Sequence, residues 1–327
     1  MVRLLGIVLS GVLFACAASS QAQESKTDKG PAKLFLWKAT SKTNTVYLLG
    51  SIHVASPEFY PLPDEIEKAF AQSRALVVEV DLTKVNQEEL KGQLLQKGMY
   101  PGREVVGNHL PKVTYERLRQ YLTNKGLEPA MMEKFKPWAL AVTITMLEVQ
   151  SLGYESELGI DQHFLKNAVD RKIVELESAD EQVNVLSGLP EKLEAEFLAS
   201  TLDSADKTAD LMKKTVAAWK AGDAEALEKL LGKDVIADRP ELRGVYTRLL
   251  DDRNEKMARK IEPLLKGKDP AFVVVGAGHL LGPKGILKLL EKRGFAVEQV
   301  TKAPAGAKAD PKKPSRRGYA PADSWAK

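Results

Sequence analysis

One cysteine and four histidines are the whole supply of thiol and imidazole in this 327-residue chain. The cysteine, Cys16, lies in an apolar N-terminal stretch. Once a leader ending at Ala22 is removed, none is left, so disulfides, thiolate catalysis and cysteine metal sites are excluded. Past that stretch no apolar run reaches the ~20 residues of a membrane span. A phosphate loop is also missing, because Gly276-Ala277-Gly278 lacks the Lys-Ser/Thr of a P-loop. The helical zinc signature with two histidines four apart is absent too. Basic character is confined to one end. The last stretch, Lys302 to Lys327, holds seven Lys/Arg against two Asp/Glu, and without it and Arg3 the chain carries a net −2. A folded nucleic-acid-binding face is therefore not expected.

The ends have their own signatures. Arg3, the uncharged run Leu4 to Ala18 and the small residues of Ser20-Gln21-Ala22 read as a secretory signal over residues 1–22. That predicts a periplasmic or secreted bacterial protein. Leu13-Phe14-Ala15-Cys16 also resembles a lipoprotein processing box, with Phe14 bulky for the motif, so a lipid tether at Cys16 is the lesser alternative. Residues 302–327, rich in Lys, Ala and Pro, predict a disordered tail. Its charge suits at most a weak contact with an anionic envelope surface. Residues 33–300 remain, enough for one well-buried domain.

Within them, strands and helices alternate. Leu34 to Thr40 and Thr45 to Gly50 predict a hairpin, Asp64 to Ser73 a helix, and Ala75 to Leu82 a buried parallel strand. Helical periods cover Asn86 to Lys97, Pro111 to Lys125, Pro137 to Ser151 and Gly159 to Val169, followed by a short strand, Ile173 to Leu176. Glu181 to Lys220 is helical with a break at Gly188-Leu189-Pro190; Ala224 to Leu231 and Glu241 to Leu265 continue the helical block. A strand at Ala271 to Gly276, a helix at Gly285 to Lys292 and a strand at Phe295 to Val300 close the chain. The fold class is α/β: a central, mostly parallel sheet built from the N- and C-terminal strand units, capped by a long helical middle.

The same device opens each unit, an apolar strand running into Gly-x-x-His. The copies are Gly50-Ser51-Ile52-His53 and Gly276-Ala277-Gly278-His279. Ligands of α/β sheets bind beyond the carboxyl ends of the strands, where glycine lets the backbone turn sharply. If the two strands are parallel neighbours, His53 and His279 meet at one edge. Glu79, near the end of the intervening strand, joins them. Two imidazoles and a carboxylate can bind a divalent metal and leave a position for water. Without metal, a histidine can act as general base with Glu79 orienting it.

Four further residues are candidates. Asp81 lies two residues beyond Glu79, on the same face of an extended strand, and could substitute for it. Arg253 could hold a carboxylate or an oxyanion. Asp161 and His163 flank a helix start, where they either support the site or serve only the helix. His109 is expected to be structural, and Trp37 and Tyr47 to belong to the core.

These motifs resemble the TraB/GumN family, which includes pheromone-shutdown proteins and Tiki proteases. The resemblance rests on the two Gly-x-x-His motifs, on Glu79 within Val77-Val78-Glu79-Val80-Asp81, on Leu36-Trp37 before Val46-Tyr47-Leu48-Leu49-Gly50, and on Gly159-Ile160-Asp161-Gln162-His163-Phe164. It implies a fold related to erythromycin esterases and haem-uptake ChaN-like proteins. From the Tiki side it implies a peptidase dependent on Mn²⁺ or Co²⁺ rather than Zn²⁺. Metal ligands would be His53, Glu79 and His279, with a peptide or other small substrate. A metal-free esterase-like hydrolase, and a non-enzymatic envelope protein that sequesters a peptide, haem or metal, are the alternatives.

Overall fold

A computed structural model describes residues 32–302. The leader, Cys16 and the tail beyond Lys302 lie outside the described residues. Strands β1 (Lys33–Thr40) and β2 (Thr45–Ser51) form the expected hairpin. Helix α1 (Asp64–Gln72) leads into β3 (Ala75–Val78). Helices α2 (Gln87–Gly98), α3 (Lys112–Asn124), α4 (Pro137–Ser151) and α5 (Ile160–Lys166) then precede β4 (Lys172–Glu175). The predicted long helical region is three helices, α6 (Ala179–Ser187), α7 (Glu191–Ser204) and α8 (Thr208–Ala221). Short helices α9 (Ala224–Glu228), α10 (Asp234–Asp238) and α11 (Arg243–Tyr246) follow, then α12 (Asp252–Lys266). Two π-helical turns, Lys229–Lys233 and Thr247–Asp251, interrupt this stretch. The second unit is β5 (Ala271–Gly276), α13 (Ala277–Leu280), α14 (Ile286–Lys292) and β6 (Ala296–Thr301).

The six strands lie in the order β4-β3-β5-β2-β1-β6, with β1 antiparallel to both its neighbours and the other pairings parallel. Strand β5 is central and buried along its whole length, which its sequence Ala-Phe-Val-Val-Val-Gly suits. The predicted neighbourhood of the two units is observed: β2 runs parallel to β5 with Gly50 opposite Val275 and Ser51 opposite Gly276. Helix α4 has buried residues all round, among them Trp138, Leu140, Ile144 and Val149, and packs on α7. Helix α8 caps the sheet, where the Trp219 indole N–H donates to the Gly50 carbonyl at 2.6 Å. Gly50 itself is required by close packing, because a Cβ there would stand 2.5 Å from the Phe35 ring.

One predicted strand is too long. Ala75 to Leu82 was expected to be extended throughout, yet β3 ends at Val78. On the β5 side pairing stops with Val78 opposite Val274 although β5 runs on to Gly276, because there the Glu79 side-chain carboxylate, not the backbone, takes the Gly276 amide. On the other side the backbone contact continues two residues further, with the Leu176 and Glu177 amides donating to the Val78 and Glu79 carbonyls.

The helical layer buries one acid away from the sheet. Glu194, on α7, is buried. Desolvation raises its pKa to about 7 against the pull of Lys136 and the Trp138 amide. A carboxyl whose folded pKa is raised costs stability as pH climbs from the unfolded value of 4.5 towards 7, and the full cost applies above that. Glu194→Gln should therefore match the wild type below pH 4.5 and exceed it above pH 7. Urea unfolding at the two extremes should show a gain of roughly 1 kcal/mol, discounted for partial solvent screening.

Candidate active site

Both histidines and Glu79 converge at the carboxyl ends of β2, β3 and β5. His53 follows β2, Glu79 follows β3, and His279 lies on α13 directly after β5. His53 Nε2 and His279 Nε2 each stand 3.7 Å from the same oxygen, Glu79 Oε1. All three side chains are buried. The two Gly-x-x-His motifs are out of register by one residue, Gly50 standing opposite Val275 rather than Gly276.

Glu79 is held from every direction. Its Oε1 accepts the Gly276 amide at 2.6 Å. Its Oε2 accepts Arg253 Nη2 at 2.7 Å and Gln182 Nε2 at 3.1 Å. Burial alone would raise this carboxyl; His279, Arg253, His53 and the Gly276 amide more than reverse that and hold it at about 2. It is a carboxylate at every working pH. Arg253 is itself buried and also grips Glu177, its Nε and Nη2 reaching that carboxylate at 2.7 to 3.0 Å, while Nη1 donates to the Leu249 carbonyl at 2.9 Å.

The two imidazoles are oriented by different partners. His279 Nδ1 is 2.6 Å from Asn254 Oδ1. Asn254 Nδ2 donates to the Lys284 carbonyl at 3.1 Å, so the amide oxygen faces the ring and the ring's proton sits on Nδ1. Burial, and then Arg253, push the His279 pKa down to about 3; it is neutral, with its Nε2 lone pair towards Glu79. His53 Nδ1 lies 3.1 Å from Asp161 Oδ1, a charge contact rather than an aligned hydrogen bond. Burial lowers its pKa, but Asp161 and Glu79 outweigh burial and leave it above the usual histidine value. Its Nε2 is buried without a hydrogen-bond partner.

The approach of α5 to the β2 turn places Asp161. The Ile160 amide donates to the Ile52 carbonyl at 3.1 Å, and Ser51 Oγ donates to Asp161 Oδ1 at 2.9 Å. Gly159 permits this contact, because a Cβ there would lie 2.5 Å from the His53 carbonyl oxygen. His163 faces elsewhere: its Nε2 is 2.9 Å from Glu67 Oε1 and its ring packs on Tyr60, so it ties α5 to α1. A supporting role fits Asp161, not His163. Asp81 also departs from expectation. The chain is no longer extended past Val78, so alternation fails, and its carboxylate is used by Thr83 at 2.5 Å and Lys84 at 2.9 Å. Arg253 reaches the site as predicted, but all three of its nitrogens are engaged, which fits holding Glu79 in place better than receiving an oxyanion. His109, bonded to Glu104 and Glu191 and stacked on Tyr100, is structural.

Sequence reasoning passed over Glu177, Asn254 and Gln182. Asn254 is adjacent to Arg253 on α12, and Glu177 lies just past β4, but only the packing of α12 across the strand ends gives either a role. A void of about 10 Å³, bounded by His53, Glu79, Asp161 and Gln182 among others, lies between the side chains. That is room for at most about one water.

Residues 35–299 match the pattern of the TraB/PrgY/gumN family. The chain belongs to it. It is 25% identical over 246 residues to the uncharacterized protein YbaP of Escherichia coli, covering 75% of this chain and 87% of YbaP. It is 26% identical to the metalloprotease TIKI2 of Xenopus tropicalis and 25% identical to the human metalloprotease TIKI1, over 83% and 86% of this chain. Those matches span 60% of TIKI2 and 64% of TIKI1. No solved structure matches. Within the matched residues, the β2–β5 pairing joins the two Gly-x-x-His units at the middle of the sheet.

Two predictions follow from the buried network. Arg253→Met leaves Glu79 and Glu177 buried and uncompensated, which should cost about 3–5 kcal/mol in urea unfolding. Breaking the exposed Lys68–Asp64 pair should cost almost nothing. Asn254→Ala frees the His279 ring. In ¹⁵N-histidine NMR the wild-type ring should read as the Nδ1–H tautomer and stay neutral as pH falls from 6.5 towards 3, whereas the variant should mix tautomers. A single unmixed tautomer in Asn254→Ala would remove Asn254 as the orienting group.

Proposed function

We propose that this protein is an exported, metal-dependent hydrolase acting on peptide bonds. The observation that carries the reading is the placement of two imidazole Nε2 atoms at 3.7 Å from one carboxylate oxygen, one of those nitrogens buried and without a partner. Likeness to named metalloproteases supports hydrolysis, and the leader-like N-terminus supports export to a periplasm or beyond. No helix among the described residues is long and apolar enough to cross a membrane.

The donor set suits a divalent ion, with His53 and His279 supplying nitrogen and Glu79 the charge. No group of three such side chains among the described residues is drawn to ligating distance, so seating an ion would need these side chains to close in. Mn²⁺ or Co²⁺ is favoured over Zn²⁺ on the resemblance to Tiki proteases. Such an ion acidifies a bound water and polarises a carbonyl. The protein's own groups prepare that chemistry. Asn254 keeps the His279 proton on Nδ1, and Asp161 attracts the His53 proton to Nδ1, so both lone pairs point inward. Glu79, with its low pKa, orients a water and holds negative charge rather than storing a proton. Arg253 fixes Glu79. Leu82 and Gln182 line the small void beside these groups, which leaves less room than a peptide needs.

A second reading has its own support. Asp161 behind His53 Nδ1, with the His53 pKa raised, is the arrangement of a general base that needs no metal. Elemental analysis separates the two. After reconstitution with Mn²⁺, Co²⁺ or Zn²⁺, the wild type should hold about one ion per chain, as one site requires, and His53→Ala/His279→Ala none. Peptide hydrolysis should vanish on exhaustive chelation. Hydrolysis that survives chelation but not His53→Ala would favour the metal-free base.

A further inference from the structure

A second, larger cavity lies apart from these groups. It has a volume of about 450 Å³ and is bounded by the turns Lys229–Lys233 and Thr247–Asp251 and by the segment Leu281 to Lys284. That size is typical of small-molecule sites. Both turns are π-helical, and π turns inside helices are frequent at functional sites. None of His53, Glu79 and His279 lines it.

The charges on its wall are unequal. Lys233 is paired with Glu228 at 3.0 Å, and Lys284 with Asp251 at 2.9 Å. Arg243, exposed on the same wall, has no carboxylate within ion-pair distance among the described residues. Its fork is therefore available for a carboxylate. Ile236, Tyr246 and Leu281 also line the cavity and give it an apolar part. The Tyr246 ring is seated there because residue 232 is glycine; a Cβ at that position would stand 2.7 Å from the Tyr246 hydroxyl.

We propose that this cavity binds a small organic monoanion, its carboxylate on Arg243 and its apolar body against Tyr246, Ile236 and Leu281. A dianion such as phosphate suits it less, because Glu228 and Asp251 stand on the same wall and only one cation is unpaired. The site is independent of the hydrolase reading, though it shares a wall with the active centre: the Lys284 carbonyl on the cavity segment is the acceptor that orients Asn254.

Calorimetric titration of the full chain tests it with three probes: N-acetyl-leucine, its primary amide and inorganic phosphate. N-acetyl-leucine should saturate one site, and the amide should bind at least about tenfold more weakly, the loss expected for a charge-assisted bidentate contact. Arg243→Ala should lose N-acetyl-leucine binding to the same degree, and Arg243→Lys should lose less. Arg243 is exposed, so its alanine variant should retain the wild-type melting temperature. Ala237→Trp, which fills the cavity and leaves Arg243 in place, should abolish binding. Equal binding of acid and amide, saturable phosphate binding without N-acetyl-leucine binding, no saturable heat, or unchanged affinity in Arg243→Ala would each overturn the proposal.

Discussion

The Arg253 guanidinium, buried between Glu79 and Glu177, is the contact on which the rest of the centre depends. It joins α12, which carries it, to the chain ends of β3 and β4, which carry the two acids. Burying three charges is expensive, and it is tolerated only where geometry is good and the remaining polar atoms are satisfied. Here the Leu249 carbonyl, the Gly276 amide and Gln182 Nε2 supply the added contacts, while Gln182 Oε1 is buried without a partner. The outcome is a carboxylate that stays ionised at working pH and is anchored at both oxygens. Everything else at the strand ends is arranged around that fixed negative charge.

Two imidazoles approach it from strands that are alike in sequence but not in surroundings. His279 has a neutral amide behind it and an arginine nearby, so it stays uncharged. His53 has Asp161 behind it and tends towards the charged form. The repeated Gly-x-x-His device therefore yields two histidines with opposite electrostatic bias. That asymmetry comes from α5 on one side and α12 on the other, elements with no counterpart in each other's unit. Such a pair can serve either as two metal-facing nitrogens or as one base and one neutral neighbour. The resemblance to the Tiki metalloproteases favours the first.

The helical middle does more than cover the sheet. Its last part carries both π turns, Arg243, which has no ion-pair partner among the described residues, and the residue pair Arg253 and Asn254 that hold Glu79 and His279. A shift in this part would be felt at both the larger cavity and the histidines, since Asn254 bonds to the Lys284 carbonyl and to the His279 ring at once.

Much of this was legible in the chain itself. β-Branched runs ending in glycine dictate buried strands with sharp exits, and a chain with two such runs before its scarce histidines limits where imidazole chemistry can lie. The α/β class, the pairing of the terminal units, and His53, Glu79 and His279 as neighbours could be read from pattern, whereas Arg253 stood out from its charged segment only by likeness to related proteins. The end of β3 could not, because beyond Val78 the Glu79 carboxylate rather than the backbone takes up the Gly276 amide, a partner nearly two hundred residues further on. For the same reason alternation misplaced Asp81, and helix position alone did not separate Asp161 from His163, which leave α5 towards different neighbours. Glu177, Gln182 and Asn254 carry no local signature at all. Their roles exist only because packing across the strand ends brings hydrogen-bond partners together from distant parts of the chain, which sequence periodicity does not encode.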